Sequence, residues 1–327
     1  MKNLPIGINT LSKILENNMV YVDKTEIAHR LIINAGAYFL SRPRRFGKSL
    51  FLDTLKEIFE GNKELFKGLY IYDHWNWEKK YPVIKIDFVA GGFFTTDLLE
   101  IRVKDILKNN SDRLKIPLTG IDSPMGVILK NLIIDGKEKY NSKVVILIDE
   151  YDKPMLDNIE NSQLSIQMRE SLKSLYSVIK EQDANLQFVF LTGVSKFSKV
   201  SIFSGINNLN DITLDENCAT ICGYTQKDLE TDFAEHLQGV DWDKLKLWYN
   251  GYNFLGEKVY NPFDILLFVD KNKEYRNYWF ETGSPSFLIK LFQKNKYFLP
   301  DLNDIEVGEE ILNSYDIDKL SIATLLF

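Results

Sequence analysis

The chain has 327 residues, 45% of them hydrophobic, which suffices for a sizeable core and, at ~100–200 residues per domain, favours more than one domain. Its net charge of −6 and pI near 5.3 give no support to broad non-specific binding of nucleic acid and leave open only a local basic patch. The two cysteines cannot build a disulfide scaffold, no signal peptide is visible, and no apolar run nears the ~20 residues of a membrane span, so a cytoplasmic protein off the membrane is expected.

Residues 1–36 are helical in character, with Asp23 and Glu26 in capping-box spacing ahead of Ile27, Leu31 and Ile32. Ala37–Leu40 reads as a short buried strand. A helix then runs from Gly47 to about Glu60, with Phe51, Leu52, Leu55, Ile58 and Phe59 on one face and Gly61 ending it. Pro82–Phe88 is a strand, followed by helices over roughly 98–114 and 124–140. Val144–Ile148 is a continuous apolar, β-branched run, the pattern of a central parallel strand buried on both faces. An amphipathic helix over 164–179, a buried strand over 188–191 and an edge strand over 211–214 complete the series. Strands alternating with helices predict an α/β layered sheet. After about residue 216 strands become scarce and Trp and Tyr frequent, so we expect a core over 1–215 and a smaller, mostly helical lid over 216–327. The aromatic residues of that second part are expected as core. The apolar end Leu325-Leu326-Phe327 suggests a longer natural chain or an end that packs on a partner.

The chemistry centres on Arg42-Pro43-Arg44-Arg45-Phe46-Gly47-Lys48-Ser49. The usual phosphate loop (Walker A) is Gly, four residues, then Gly-Lys-Ser/Thr, between a strand and a helix. Here the second half is intact and Arg42 stands where the first glycine belongs. Phe46, Gly47, Lys48, Ser49 and Leu50 are expected to turn backbone N–H groups toward a phosphate chain at the positive end of the helix. Lys48 would bridge the β- and γ-phosphates and Ser49 would hold Mg2+. The plainer alternative is a basic turn that opens a helix.

Asp149 and Glu150 follow the buried run at the carboxyl end of its strand, where open α/β sheets place ligands. Asp149 would hold Mg2+ as a Walker B acid, and Glu150 would activate the attacking water. Two carboxylates beside a polyanion repel it unless a metal lies between, so the pair predicts Mg2+. The competing reading is a solvated acidic turn. Thr192, with Ser195 behind it, ends the strand at 188–191 and is the candidate contact to the γ-phosphate or water; an ordinary turn is the alternative. Arg44 and Arg45 either meet transition-state charge or pair with an acid such as Asp87 or Asp152, the pairing being favoured. Arg169 and Arg276 are candidates for a finger supplied by a neighbouring subunit. Cys218-x-x-x-Cys222 and three scattered histidines argue against zinc.

These motifs resemble a known group. Tyr21-Val22-Asp23-Lys24-Thr25, the run from Phe39 to Leu50, Phe66-Lys67-Gly68-Leu69 and Ile148-Asp149-Glu150-Tyr151-Asp152-Lys153-Pro154 look like the bacterial AAA-ATPase-like family. So do Leu191-Thr192-Gly193-Val194-Ser195-Lys196-Phe197, Trp248-Tyr249-Asn250-Gly251-Tyr252 and Tyr260-Asn261-Pro262-Phe263. The resemblance implies a P-loop NTPase core, a parallel sheet sandwiched by helices, followed by a helical lid, and Arg42 is the family's own form of the loop. Members often continue into a nuclease-like domain of the PD-(D/E)XK type, which is not expected within these 327 residues. The expected cofactors are ATP and Mg2+, bound through Arg45, Phe46, Gly47, Lys48, Ser49, Leu50, Asp149 and Thr192, with Lys48 and Glu150 catalytic. The reading is an ATP-hydrolysing module; the alternatives are a nucleotide-gated switch with little turnover and, more weakly, a small-molecule kinase. A homo-oligomer or an effector domain beyond this chain is the candidate partner, and nucleic acid is left open.

Overall fold

A computed structural model describes residues 1–194, 202–203 and 208–278. Five parallel strands form its sheet: β1 Gly36–Ser41, β2 Val83–Asp87, β3 Val144–Asp149, β4 Leu186–Gly193 and β5 Leu209–Asp211. Their order is β2-β3-β4-β1-β5. The chain leaves β1 for the far edge and returns through β3 and β4, so β4 lies between β1 and β3. The carboxyl ends of these three strands therefore face one crevice, the place where such sheets bind ligands.

The alternation of side chains along each strand feeds two cores. Phe39, Ile84, Ile86, Ile146, Ile148, Val189 and Leu191 face one side. There they meet α5 Thr96–Leu114, α6 Met125–Tyr140 and α8 Ser162–Glu181. Tyr38, Leu40, Val145, Leu147, Phe188 and Phe190 face the other side, toward α2 Thr25–Asn34 and α3 Lys48–Phe59. The short helices α1 Leu11–Glu16, α4 Ile71–His74 and α7 Lys153–Leu156 fill the connections. None of the helices among the described residues is long and apolar enough to cross a membrane.

A third core gathers around α9 Gln226–Asp232, α10 Trp242–Tyr249 and α11 Pro262–Asp270. Tyr249, Tyr260 and Tyr278 are buried in it, as expected of the aromatic-rich stretch, whereas Trp279 lies outside the described residues. Val20 and Val22, from the start of the chain, are buried in the same cluster. Lys24 ties the two ends together with an ion pair to Asp228 at 2.6 Å, and Asp228 also closes the capping box of α9 with Thr225.

Three local expectations need correction. The helix at 25–34 carries no capping box: the Asp23 carboxylate accepts N–H bonds from Thr25 and from Tyr70, both at 2.8 Å, so it staples two distant segments instead. The helical character expected over residues 1–36 is confined to Leu11–Glu16 and Thr25–Asn34. The edge strand lies at 209–211 rather than 211–214, because the Asp211 side chain accepts from the Thr213 N–H and turns the chain away from the sheet.

Asp264, in the first turn of α11, is buried, and its Oδ1 meets no partner among the described residues. Burial pushes its carboxyl up to about 7, against an ordinary value of 3.8. Between those values the folded chain keeps a proton that the unfolded chain has lost, so stability falls as pH rises through this window and is level beyond it. Asp264→Asn imitates the protonated group. It is expected to raise stability by about 1–2 kcal/mol at pH 8 and by less at pH 5, as read from thermal melts at the two pH values.

Candidate functional site

The loop between β1 and α3 is built by backbone angles that side chains resist. Gly47 has φ +98, and a methyl added there would meet nothing within 4 Å, so the dihedral rather than space selects glycine. Arg45 also adopts a left-handed conformation, φ 66. Past Gly47 the chain enters α3 at Lys48, and no side chain caps that end. The N–H groups of the first turn thus lack intrahelical partners.

Lys48 is buried, and its ammonium donates to the carbonyls of Arg42 and Pro43 at 2.9 and 3.0 Å. Burial lowers its pKa, while Asp149, Glu150 and Asp152 oppose that shift with their negative charge. The lysine therefore lies in the electrostatic reach of the acidic turn after β3, although the two segments are 100 residues apart in the chain. Ser49, next on the helix, is partly exposed.

Asp149 is fully buried at the end of β3. Its Oδ1 accepts from the Thr192 hydroxyl at 2.6 Å, and its Oδ2 has no partner among the described residues. Leaving a buried carboxylate oxygen without a donor is costly unless a cation meets it. That orphaned oxygen fits a hard divalent ion held by oxygen ligands, for which the Ser49 hydroxyl on α3 is the second candidate. Thr192→Val removes the one hydroxyl that holds the carboxylate. It is expected to cost about 1.5–3 kcal/mol, the range for a hydrogen bond to a charged group, as a denaturation midpoint would record.

Glu150 leaves the strand with φ 51, a conformation rare for a residue other than glycine. Backbone strain of this kind gathers at functional sites, where it costs about 1–3 kcal/mol. Burial raises the Glu150 pKa; Lys48 opposes this, and Asp149 and Asp152 add to it. Asp152 is itself buried and accepts from the Val194 N–H at 3.1 Å. Gly193 supports this turn from β4, since a methyl there would lie 2.5 Å from the buried Tyr151 ring.

Asp87, in the sequence only a candidate partner for Arg44 or Arg45, is set opposite Asp149 at the end of β2 by parallel register. Burial, then the Asp149 charge, raises its pKa. A second apolar strand ending in an acid was the available signal. Neither Arg44 nor Arg45 forms an ion pair with a described residue, so the expected pairing with Asp87 or Asp152 is not found. The Arg45 guanidinium instead lies 4.5 Å from the Phe263 ring centre, and the Asp152 carboxylate is engaged by backbone. Arg169 and Arg276 pair with the nearby Glu170 and Glu274. Ser195 lies outside the described residues.

Beside the loop a small hollow of about 70 Å³ opens at Gly47, between the start of the chain and the C-terminal part. Val20, Tyr21, Val22, Tyr224 and Pro262 line it, with Leu50 of α3. Its lining is mostly apolar.

A parallel sheet sandwiched by helices, with a Gly-Lys-Ser loop between its first strand and the following helix, defines an α/β protein of the P-loop NTPase type. The family model described as a predicted AAA-ATPase, AAA-ATPase-like, matches residues 5–203, and the chain belongs to that family. A relative from Azotobacter chroococcum mcd 1, described as an uncharacterized protein in the vnfD 5′ region, is 46% identical over 329 residues. The alignment takes in 100% of this chain and 63% of that protein, so this chain spans less than two thirds of its relative's length. No solved structure matches.

Proposed function

We propose that the chain is an ATP-binding module that hydrolyses ATP with Mg2+. The observation that carries this reading is the buried, half-partnered Asp149 within the electrostatic reach of Lys48 at one end of the sheet. The N–H groups from Phe46 to Leu50 receive the phosphates, with Arg45 beside them, and Lys48 exchanges two loop carbonyls for phosphate oxygens. Ser49 and Asp149 would hold Mg2+, which would supply positive charge beside the phosphates; Thr192 holds the Asp149 carboxylate in place through its hydroxyl. Glu150 takes the proton of the attacking water, helped by a pKa raised by burial. In this reading residues 1–215 are the catalytic core and the helices from 216 onward a lid.

Calorimetry with Mg-ATP beside phosphate-release kinetics tests the proposal. Binding with steady phosphate release is expected, and absence of binding would overturn it. Tight binding without turnover would replace the hydrolase with a nucleotide-gated switch. The contacts of Arg45 with Phe263 and of Phe46 with Tyr252, which tie the loop to the C-terminal part, favour that second reading.

A further inference from the structure

Arg42 occupies the place of the first loop glycine, yet its side chain does not reach toward a phosphate. It is 1% exposed, and it turns away from the loop into the segment that follows β5. Its guanidinium donates to the carbonyls of Ser41 at 2.9 Å, Thr213 at 2.8 Å and Cys218 at 3.2 Å. Its planar face lies 3.7 Å from the ring centre of Phe254. No carboxylate pairs with it among the described residues. Burying an unpaired cation is costly, and a glycine at this position would avoid the cost altogether. A planar, five-donor group spread over carbonyls and an aromatic ring is the arrangement that makes it tolerable, one lysine could not reproduce.

The same residue touches the lysine of the loop from its other end. The Arg42 carbonyl accepts one of the two hydrogen bonds that hold the Lys48 ammonium. Its N–H continues the ladder of β1 to the Gly193 carbonyl of β4 at 3.2 Å. Pro43 follows directly and limits the backbone further. Phe46 repeats the pattern four residues on. It is fully buried with its ring edge-on to Tyr252 at 4.8 Å, under Gly223, where a methyl would come within 2.8 Å of it.

We propose that Arg42 is a positioning residue for nucleotide: anchored on the Thr213 and Cys218 carbonyls and the Phe254 ring, it fixes the backbone that places Lys48. It does for this loop what conformational freedom of glycine does for others, and makes the segment 213–254 part of the phosphate site. This rests on the nucleotide-binding reading above.

The experiment compares the intact chain with Arg42→Gly, Arg42→Lys, Phe254→Leu and the Arg42→Gly/Phe254→Leu pair. Each is titrated with Mg-ATP by calorimetry, with concentrations set by the folded fraction from a thermal melt. Arg42→Gly restores the usual glycine pattern, so a loop that merely tolerates arginine would bind as well or better. The expected result is instead a loss of about tenfold or more in affinity. Arg42→Lys is expected to recover part of that loss, and Phe254→Leu to weaken binding although it lies outside the loop. The pair should lose no more than Arg42→Gly alone, since both act through one anchor. Lower melting points with unchanged affinity would mean a purely structural role and overturn the proposal. If Arg42→Gly does not fold, Phe254→Leu decides alone: unchanged affinity overturns the proposal, weakened affinity supports it. Wild-type chain that binds no nucleotide would sink the site reading as well, which separates the two failures.

Discussion

Glu150→Gln is expected to bind Mg-ATP about as tightly as the wild-type chain while phosphate release falls by about 10²–10⁴-fold, the usual contribution of a positioned general base. The substitution keeps size and one hydrogen-bonding oxygen but cannot accept the water proton. Its backbone, at φ 51, is as accessible to glutamine as to glutamate, so the turn survives. The pH profile adds a sign. A base must be ionised, and burial has raised this carboxyl above its ordinary 4.5. Wild-type turnover should therefore decline as pH falls through a value above 4.5, and this limb should vanish from the residual rate of the variant. Single-turnover rates beside equilibrium binding would check both points; equal turnover in the two chains would remove Glu150 from the chemistry.

Lys48→Ala is expected to act earlier, on binding. Its ammonium is buried against Arg42 and Pro43 carbonyls and pulled by three carboxylates, so it is already held where a phosphate would replace the carbonyls. Removing it leaves those carbonyls and Asp149 without their cation and confronts a polyanion with uncompensated acids. A fall in Mg-ATP affinity of about 10²-fold or more is expected, close to 3 kcal/mol. Calorimetry reads it directly. A variant that binds normally would mean that nucleotide, if it binds, does so elsewhere.

Much of this was legible in the sequence because burial writes itself into composition. Val144–Ile148 reads as a central strand since both its faces are covered, and the run before Gly47 reads likewise. The acidic pair and Thr192 stood out because they end such strands. What was not legible depends on partners far along the chain. Asp23 has the spacing of a helix cap, but Tyr70 takes its carboxylate. Arg42 is interpretable as a phosphate or carboxylate partner until Thr213 and Cys218 are seen beside it. Asp87 is an ordinary strand end until register sets it beside Asp149. The edge strand was displaced because a half-exposed strand of three residues carries little pattern, whereas one turn-forming aspartate decides its end.

The packing of Val20 and Val22 among the C-terminal helices has a consequence for how the chain is made. The Lys24–Asp228 contact spans 204 positions, and the His236 ring bonds the Lys2 carbonyl across 234. On a ribosome, Val20, Val22 and Lys24 are thus made well before the C-terminal partners they pack against. Two apolar side chains and a lysine wait in water while the sheet assembles behind them, and only synthesis of 229–278 closes over them. At about 5–20 residues per second that wait lasts on the order of 10 s or more. The protein therefore passes through a stage in which its sheet can be complete and the hollow beside Gly47 is not yet closed.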